Sequence, residues 1–387
     1  MKILISAVEP SADALGASLA ASLRQTVSNL TLVGCGGPLL ENQGLNSLFD
    51  TQPFSAIGPT QALIALPAAM KAAQSLSELA QNEKPDVAIF IDSWSFSRLA
   101  AAKIRHKAPS VRRIKYVAPQ VWASRPGRAK QLAQLFDGLI CLFDFEAQHF
   151  EHLDVPVCVA GHSGFQAALA NKGNGSDFRK RHAIGEESLL AVLPGSRRSE
   201  LELHAKPFGE VLTLLQKQIP DFKVVVAAAP AVAEFLSERT KGWSTPAIIV
   251  DHKSRYDAFA AADAALTVSG TVTTELAINE TPMVVCYKMD ALTGIWVDLF
   301  VTAPYASLVN IAADRKVVPE FVQRNFNVPE VARTLGSLLR EGPPRETQLT
   351  AFPELINQLA GTVVPAADKA AQAVIQWSEG KFPKTIE

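Results

Sequence analysis

LLAVLPGSRRSE, residues 189–200, runs five apolar residues into a Pro-Gly turn and then into a polar stretch where a helix starts at Ser196 or Arg197. A strand that turns directly into a helix opens a βαβ unit, and the same alternation extends in both directions from it. Downstream, KVVVAAA (223–229), AIIV (247–250), AALTV (264–268) and MVVCYK (283–288) read as short strands separated by longer amphipathic stretches. Upstream, KILISA (2–7), TLVG (31–34), DVAIFI (86–91), RIKYV (113–117), GLICLF (138–143) and VCVA (157–160) form an earlier series of the same kind. Between the two, NKGNGS (171–176) is short, polar and glycine-bearing, which predicts a linker with Ser176 capping the helix that follows. GPP at 342–344 marks a second break, with two helical stretches after it. A chain of 387 residues is long enough for two substantial domains. The expected fold is therefore α/β, with Rossmann-like doubly wound domains over residues 1–170 and 177–341 whose sheets open onto a shared cleft.

Composition narrows the function. Lys plus Arg at 37 against Asp plus Glu at 38 removes the whole-chain basic signature of a nucleic-acid binder. Cys35, Cys141, Cys158 and Cys286 are widely spaced without a CxxC, so neither a disulfide framework nor a zinc knuckle is expected, and a reducing cytoplasm suits them. Glu9 and Asp13 interrupt the first apolar run before it reaches the length of a signal peptide. Residues 51–70 carry no charge, but Pro53, Pro59 and Pro67 argue against a membrane span; Asp298 and Pro304 do the same for 291–313. The first loop, VEPSAD (8–13), lacks GxGxxG, which disfavours a nicotinamide or flavin enzyme. The seven histidines show no HExxH spacing, and no GxSxG offers a serine nucleophile. No metal site is expected.

Several junctions carry candidate chemistry. At the Pro194–Gly195 turn, the N–H groups of a helix start and the Arg197 guanidinium suit a diphosphate, although an ordinary capped connection with a solvent-facing Arg fits the same residues. SGTVTTELA (269–277) repeats the arrangement, with Glu275 one turn into the helix, where it either accepts the hydroxyls of a ribose or stands exposed. IDSWSFS (91–97) projects Asp92 from a strand end, as a general base for a sugar hydroxyl or as a helix cap. Glu9, Ser11 and Asp13 fall where the first sheet opens, and Ser11 and Asp13 also read as helix-start residues. YVAPQVWASRPGRAK (116–130) mixes aromatics with Gln120, Arg125, Arg128 and Lys130, fit for a phosphorylated acceptor or an anionic surface, or for a solvated helix start. His162 closes the last strand of the first series and is a further candidate to face the cleft.

Taken in order, VEPSAD, FIDSWSF, YVAPQVWASR, AGHSGF, LLAVLPGSRRSE, SGTVTTELA, PMVVCYK and SLVNIAADRKVVPEFVQ resemble the lipid-A-disaccharide synthases over nearly the whole chain. The resemblance implies a GT-B-type inverting glycosyltransferase with helices of 345–387 packing back on the first domain. Its implied substrates are UDP-2,3-diacylglucosamine and 2,3-diacylglucosamine 1-phosphate. No cofactor or metal is implied, and the implied location is the cytoplasmic face of the inner membrane, held peripherally; a homodimer is left open. Catalytic roles fall on Asp92 and Glu9. UDP contacts fall on Gly195, Ser196, Arg197, Ser269, Gly270, Thr271, Glu275 and Asn310. Ser11, Gln120, Trp122, Arg125 and Arg128 fall on the acceptor and membrane side. Departures from the family pattern are Val8 and Ala12 in place of glycines, Ser95 in place of a second Asp, Ser124 where AWR has its tryptophan, and Ser163 after His162. With this reading, Ile57, Leu63, Ile64 and Leu66, followed by Lys71, form either an apolar patch that meets acyl chains or a buried helix. Two other readings remain: a different UDP-sugar enzyme of the same architecture, such as an epimerase or a transferase to another lipid, and a non-catalytic nucleotide-sugar binder.

Overall fold

Residues 1–54, 59–121, 127–229, 232–289, 303–361 and 364–381 are described in a computed structural model of the chain. They form two compact units, each built on a six-stranded parallel sheet. The first sheet contains β1 (Lys2–Ala7), β2 (Thr31–Cys35), β3 (Val87–Ile91), β4 (Arg112–Tyr116), β5 (Gly138–Cys141) and β6 (Val157–Val159), in the order β2-β1-β3-β4-β5-β6. The second contains β7 (Ser188–Leu193), β8 (Phe222–Ala228), β9 (Ala247–Asp251), β10 (Ala264–Thr267), β11 (Met283–Tyr287) and β12 (Glu320–Val322), in the order β12-β11-β10-β7-β8-β9. Helices cover both faces of a parallel sheet, so its strands read as unbroken apolar runs rather than alternating ones. Ile3–Ile5 and Val87–Phe90 are fully buried, as are Leu189, Leu190 and Val192.

In each sheet the chain runs outward from the first strand, then returns to start again on that strand's other side. This places a topological switch point between β1 and β3 in the first sheet and between β7 and β10 in the second. At such points the loops leaving the carboxyl ends diverge and open a crevice.

All eleven strands read from the sequence are present. The twelfth, β12, is only Glu-Phe-Val, too short to carry a periodicity. The sequence boundaries also shift. Helix Pro343–Ala360 belongs to the second unit, not the first, because Gln348, 1% exposed, pairs with both the N–H (2.8 Å) and the C=O (3.1 Å) of Met283. Residues 171–176 are not a free linker: a side chain at Gly173 or Gly175 would strike the carbonyls of Tyr256 and Ala260, so the segment lies against helix Arg255–Ala261. The cap of the following helix, Gly175–Arg181, is Asn174 rather than Ser176.

Helix Ala366–Ser378 lies in the first unit. Trp377 is fully buried, with its ring so close to Gly138 of β5 that a Cβ there would come within 2.6 Å of it; Ser22 bonds Asp368 at 2.6 Å. Cys35, Cys141, Cys158 and Cys286 are all buried thiols.

Candidate active site

The first unit presents its candidate residues at the β1/β3 switch point. Glu9 follows β1 as the residue before helix Pro10–Thr26, and its carbonyl accepts from the Asp13 N–H at 2.9 Å. Asp92 follows β3 with φ +51°, and Ser93 has φ +37°, so the chain makes a left-handed turn before helix Trp94–Lys107. Ser97 Oγ donates to the Asp92 carbonyl at 2.7 Å and fastens that turn. Asp92 does not cap the helix; Ser93 holds that position, and the Asp92 side chain is half-buried at the edge. Ser11 is exposed. Asp13 is buried and serves a neighbour: its carboxylate accepts from the N–H groups of Gly37, Leu39 and Leu40 at 2.9–3.0 Å, capping helix Pro38–Glu41.

Two groups that sequence reasoning passed over lie beside Asp92. Lys115, in β4, is 1% exposed. Glu146, also buried, accepts from the N–H groups of Leu142 (2.8 Å) and Phe143 (3.2 Å), and burial pushes its carboxyl up to about 7. Next along helix Trp94–Lys107, a cavity of about 210 Å³ is lined by Trp94, Ser95 and Arg98 together with Gly127, Arg128 and Gln131. Arg98 and Arg128 thus line the same cavity. Gln120 is exposed; Trp122, Arg125 and Ile57 lie outside the described residues, as do the side chains of Leu63 and Ile64. Leu66 is 50% exposed on helix Pro59–Glu83. His162 stacks on Phe165 at 3.9 Å between ring centroids, and its Nδ1 accepts the Phe165 N–H at 3.3 Å. Burial lowers its pKa to about 4, which marks a neutral packing residue.

The second unit places its candidates at the β7/β10 switch point. Thr267 pairs with Leu193 across the two strands, so the turns after β7 and β10 leave the sheet side by side. Gly195 has φ +130°, and a Cβ there would meet the Cβ of Glu200 at 2.4 Å; glycine is required by both backbone and space. Glu200 reaches back from helix Arg198–Gln216 to accept from Ser196 N (2.9 Å) and Arg197 N (3.3 Å). These are the donors a diphosphate would use, and a carboxylate of the chain holds them. The Arg197 side chain is 54% exposed and only 3.5 Å from Glu200. Beneath it, fully buried His204 bridges the Glu200 carbonyl (2.7 Å) and the Lys288 N–H (2.8 Å), locking this helix to the end of β11.

After β10, Ser269 donates its hydroxyl to the Ala306 carbonyl at 2.6 Å, while Gly270 (φ +151°) and Thr271 are exposed. Glu275 is held by the Tyr256 hydroxyl (3.1 Å) and Arg255 (3.5 Å), both on its Oε1. The buried Arg255 Nε has no hydrogen-bond partner among the described residues. Asn310 is fully buried; its Oδ1 accepts from the N–H groups of Val317 and Val318 and its Nδ2 donates to the Val318 carbonyl, at 2.7–2.9 Å, so it pins a loop. Among the described residues no cluster of three or more His, Cys, Asp or Glu is placed to hold a metal ion.

The whole chain is similar in fold to solved structures of nucleotide-sugar enzymes. It aligns with the S. aureus MnaA–UDP co-structure at 13% identity and a TM-score of 0.64, covering 100% of this chain and 99% of that one. Against A. baumannii MurG the figures are 13% identity and a TM-score of 0.57, covering 98% of this chain and 99% of the other. At such identity these share a fold of two Rossmann-like units and nothing finer. Sequence is decisive. The profile of the lipid-A-disaccharide synthetases matches residues 3–374. The lipid-A-disaccharide synthase of Rhodospirillum centenum is 37% identical, over 96% of this chain and 94% of its own length. That of Paramagnetospirillum magneticum is 35% identical over 97% of both. The chain thus belongs to the lipid-A-disaccharide synthase family, glycosyltransferases that form the lipid A disaccharide.

Proposed function

We propose that the sugar donor is UDP-2,3-diacylglucosamine, that the acceptor is 2,3-diacylglucosamine 1-phosphate, and that the candidate residues divide between them by unit. The observation that carries this division is that both candidate clusters sit at the switch point of their own sheet, one rich in N–H donors and cationic, the other centred on a carboxylate.

In this reading the diphosphate of UDP takes over the N–H groups of Ser196 and Arg197, displacing the Glu200 carboxylate, and Gly195 and Gly270 let it approach the backbone. Glu275 Oε2 accepts from the ribose hydroxyls while Tyr256 and Arg255 hold its other oxygen. Asp92 removes the proton from the acceptor hydroxyl as that oxygen attacks the anomeric carbon opposite the diphosphate. The bond from the anomeric carbon to the diphosphate oxygen breaks, and UDP leaves with its new charge facing Arg197 and the helix start. The acceptor's phosphate suits the cavity of Arg98 and Arg128. No metal takes part.

The test is incubation of purified protein with both substrates, with mass spectrometry for the disaccharide and UDP. Asp92→Asn should abolish turnover and leave UDP affinity within about twofold, because an isosteric amide removes only the base. Near-normal turnover in that variant removes Asp92 from the mechanism. Arg98→Gln should raise the acceptor KM about tenfold, the worth of one charged hydrogen bond at a half-open site; an unchanged KM places the phosphate elsewhere.

A further inference from the structure

Lys115 occupies the interior of β4, paired between Phe90 and Leu139, where a parallel strand normally carries only apolar side chains. Its ammonium donates to three carbonyls, those of Phe90 (3.2 Å), Asp92 (2.5 Å) and Tyr116 (3.1 Å). An ammonium has three N–H bonds, so its capacity is met. Its acceptors lie at the ends of β3 and β4, beside three residues in the left-handed region, uncommon for any side chain and strained most at a β-branched one: Asp92 (φ +51°), Ser93 (φ +37°) and Val117 (φ +73°). A cluster of non-glycine left-handed residues persists only where the surroundings over-determine it, and the ammonium is the charge around which these carbonyls converge.

We propose that Lys115 is a positioning residue for sugar transfer: its buried ammonium clamps the left-handed turn that aims the Asp92 carboxylate, and the clamp works only while charged. The proposal rests on Asp92 as the base. Neutral Lys115 would have two N–H bonds for three carbonyls and would turn a lone pair on the third oxygen, so that deprotonation loosens the turn and removes the positive charge from beside the base. Burial lowers the Lys115 pKa to about 8, with Asp92 from the end of β3, Glu9 from the loop after β1 and Glu146 from helix Asp144–Ala147 pulling it back up. Tyr116, its neighbour on β4, is pushed up by burial and stays neutral. The sign follows: the charged form prevails below about pH 8 and is lost as pH rises through that value.

Three measurements test this. In the unmodified enzyme, kcat should turn down as pH rises through about 8 while the melting temperature does not; a flat kcat from pH 7 to 9.5 overturns the proposal without any variant. Lys115→Met should lower kcat about 30-fold or more with the KM for the UDP-sugar changed less than about threefold, a part of the hundredfold or greater effect of a general base. Lys115→Gln, which restores neutral donors, should recover part of that kcat and lose the high-pH limb. If both variants turn over within about threefold of the unmodified enzyme, or if Gln does no better than Met and both keep the high-pH limb, Lys115 is only a core residue. Asp92→Asn, run alongside, separates the failures. Its inactivity with fully active Lys115 variants removes this proposal alone, and its activity removes the reading of Asp92.

Discussion

The Glu200 carboxylate accepts from the Ser196 and Arg197 N–H groups that the proposed diphosphate would use, and its contact with the Arg197 side chain leaves that guanidinium easy to recruit. Its ion pair to Glu200 is long and exposed, an arrangement worth little in water, so turning the guanidinium toward a diphosphate costs almost nothing. Arg197→Ala should lower kcat/KM by two or more orders of magnitude, about 3 kcal/mol, because the lost donor matters most as charge develops on the leaving group. Arg197→Lys should restore only part, lacking the planar fork. Steady-state kinetics of the two variants decide it, and a wild-type Ala variant would place the diphosphate elsewhere. Asp92, Arg197 and Glu275 stand out in the sequence as candidates because each lies in the turn or helix that follows an apolar strand. Lys115 was hidden by its own strand: from Arg113 onward, RIKY alternates cation and apolar residue, the mark of a half-solvated strand, yet Arg113 and Lys115 are both buried. Arg113 is explained by Asp137, and Lys115 chiefly by the carbonyls of Phe90 and Asp92, all more than twenty residues away in sequence. Arg255 and Tyr256 escaped for a similar reason, since only the packing of helix Arg255–Ala261 brings them to Glu275.

Among the elements, helix Pro59–Glu83 is the one whose two faces differ most in consequence. Ala73, Leu76 and Ala80 are fully buried, at the spacing of one helical face, whereas Leu66 is 50% and Met70 47% exposed and Lys71 follows them into solvent. No described helix is long and apolar enough to cross a membrane, and the exposed apolar face of this helix is the surface on which a hold on lipid can be tested. Leu66→Ser with Met70→Ser should weaken binding to phosphatidylglycerol vesicles by a factor of roughly 30–150, from about 2–3 kcal/mol of half-exposed apolar area, without lowering the melting temperature. Vesicle co-sedimentation reads the first and calorimetry the second; unaltered sedimentation removes the patch from the membrane. The sequence left this helix undecided because its charge-free first half suits core and interface equally. Residues 171–176 misled in the opposite sense: their glycines looked like punctuation but are there for close packing on two carbonyls.

For the molecule as a whole, the fold was legible because parallel α/β architecture repeats one signal, strand then helix, and the two switch points follow from strand order. The division of the chain was not, because it depends on contacts between distant segments such as Gln348 with Met283. One expectation belongs to this scale. Turnover should survive EDTA undiminished, since helix starts and Arg197 supply the positive field that a cation supplies elsewhere; a strict requirement for added magnesium or manganese would contradict that. The return of helix Ala366–Ser378 to the first unit has its own consequence for how the protein comes into being. At roughly 5–20 residues per second, the ribosome finishes the first 166 residues about 10–40 s before Trp377 emerges, and until then the seat over Gly138 is bare. The amino-terminal unit, although made first, is thus the last to be completed, and a chain stalled or clipped short of its final helix carries an open apolar groove that quality-control machinery can recognise.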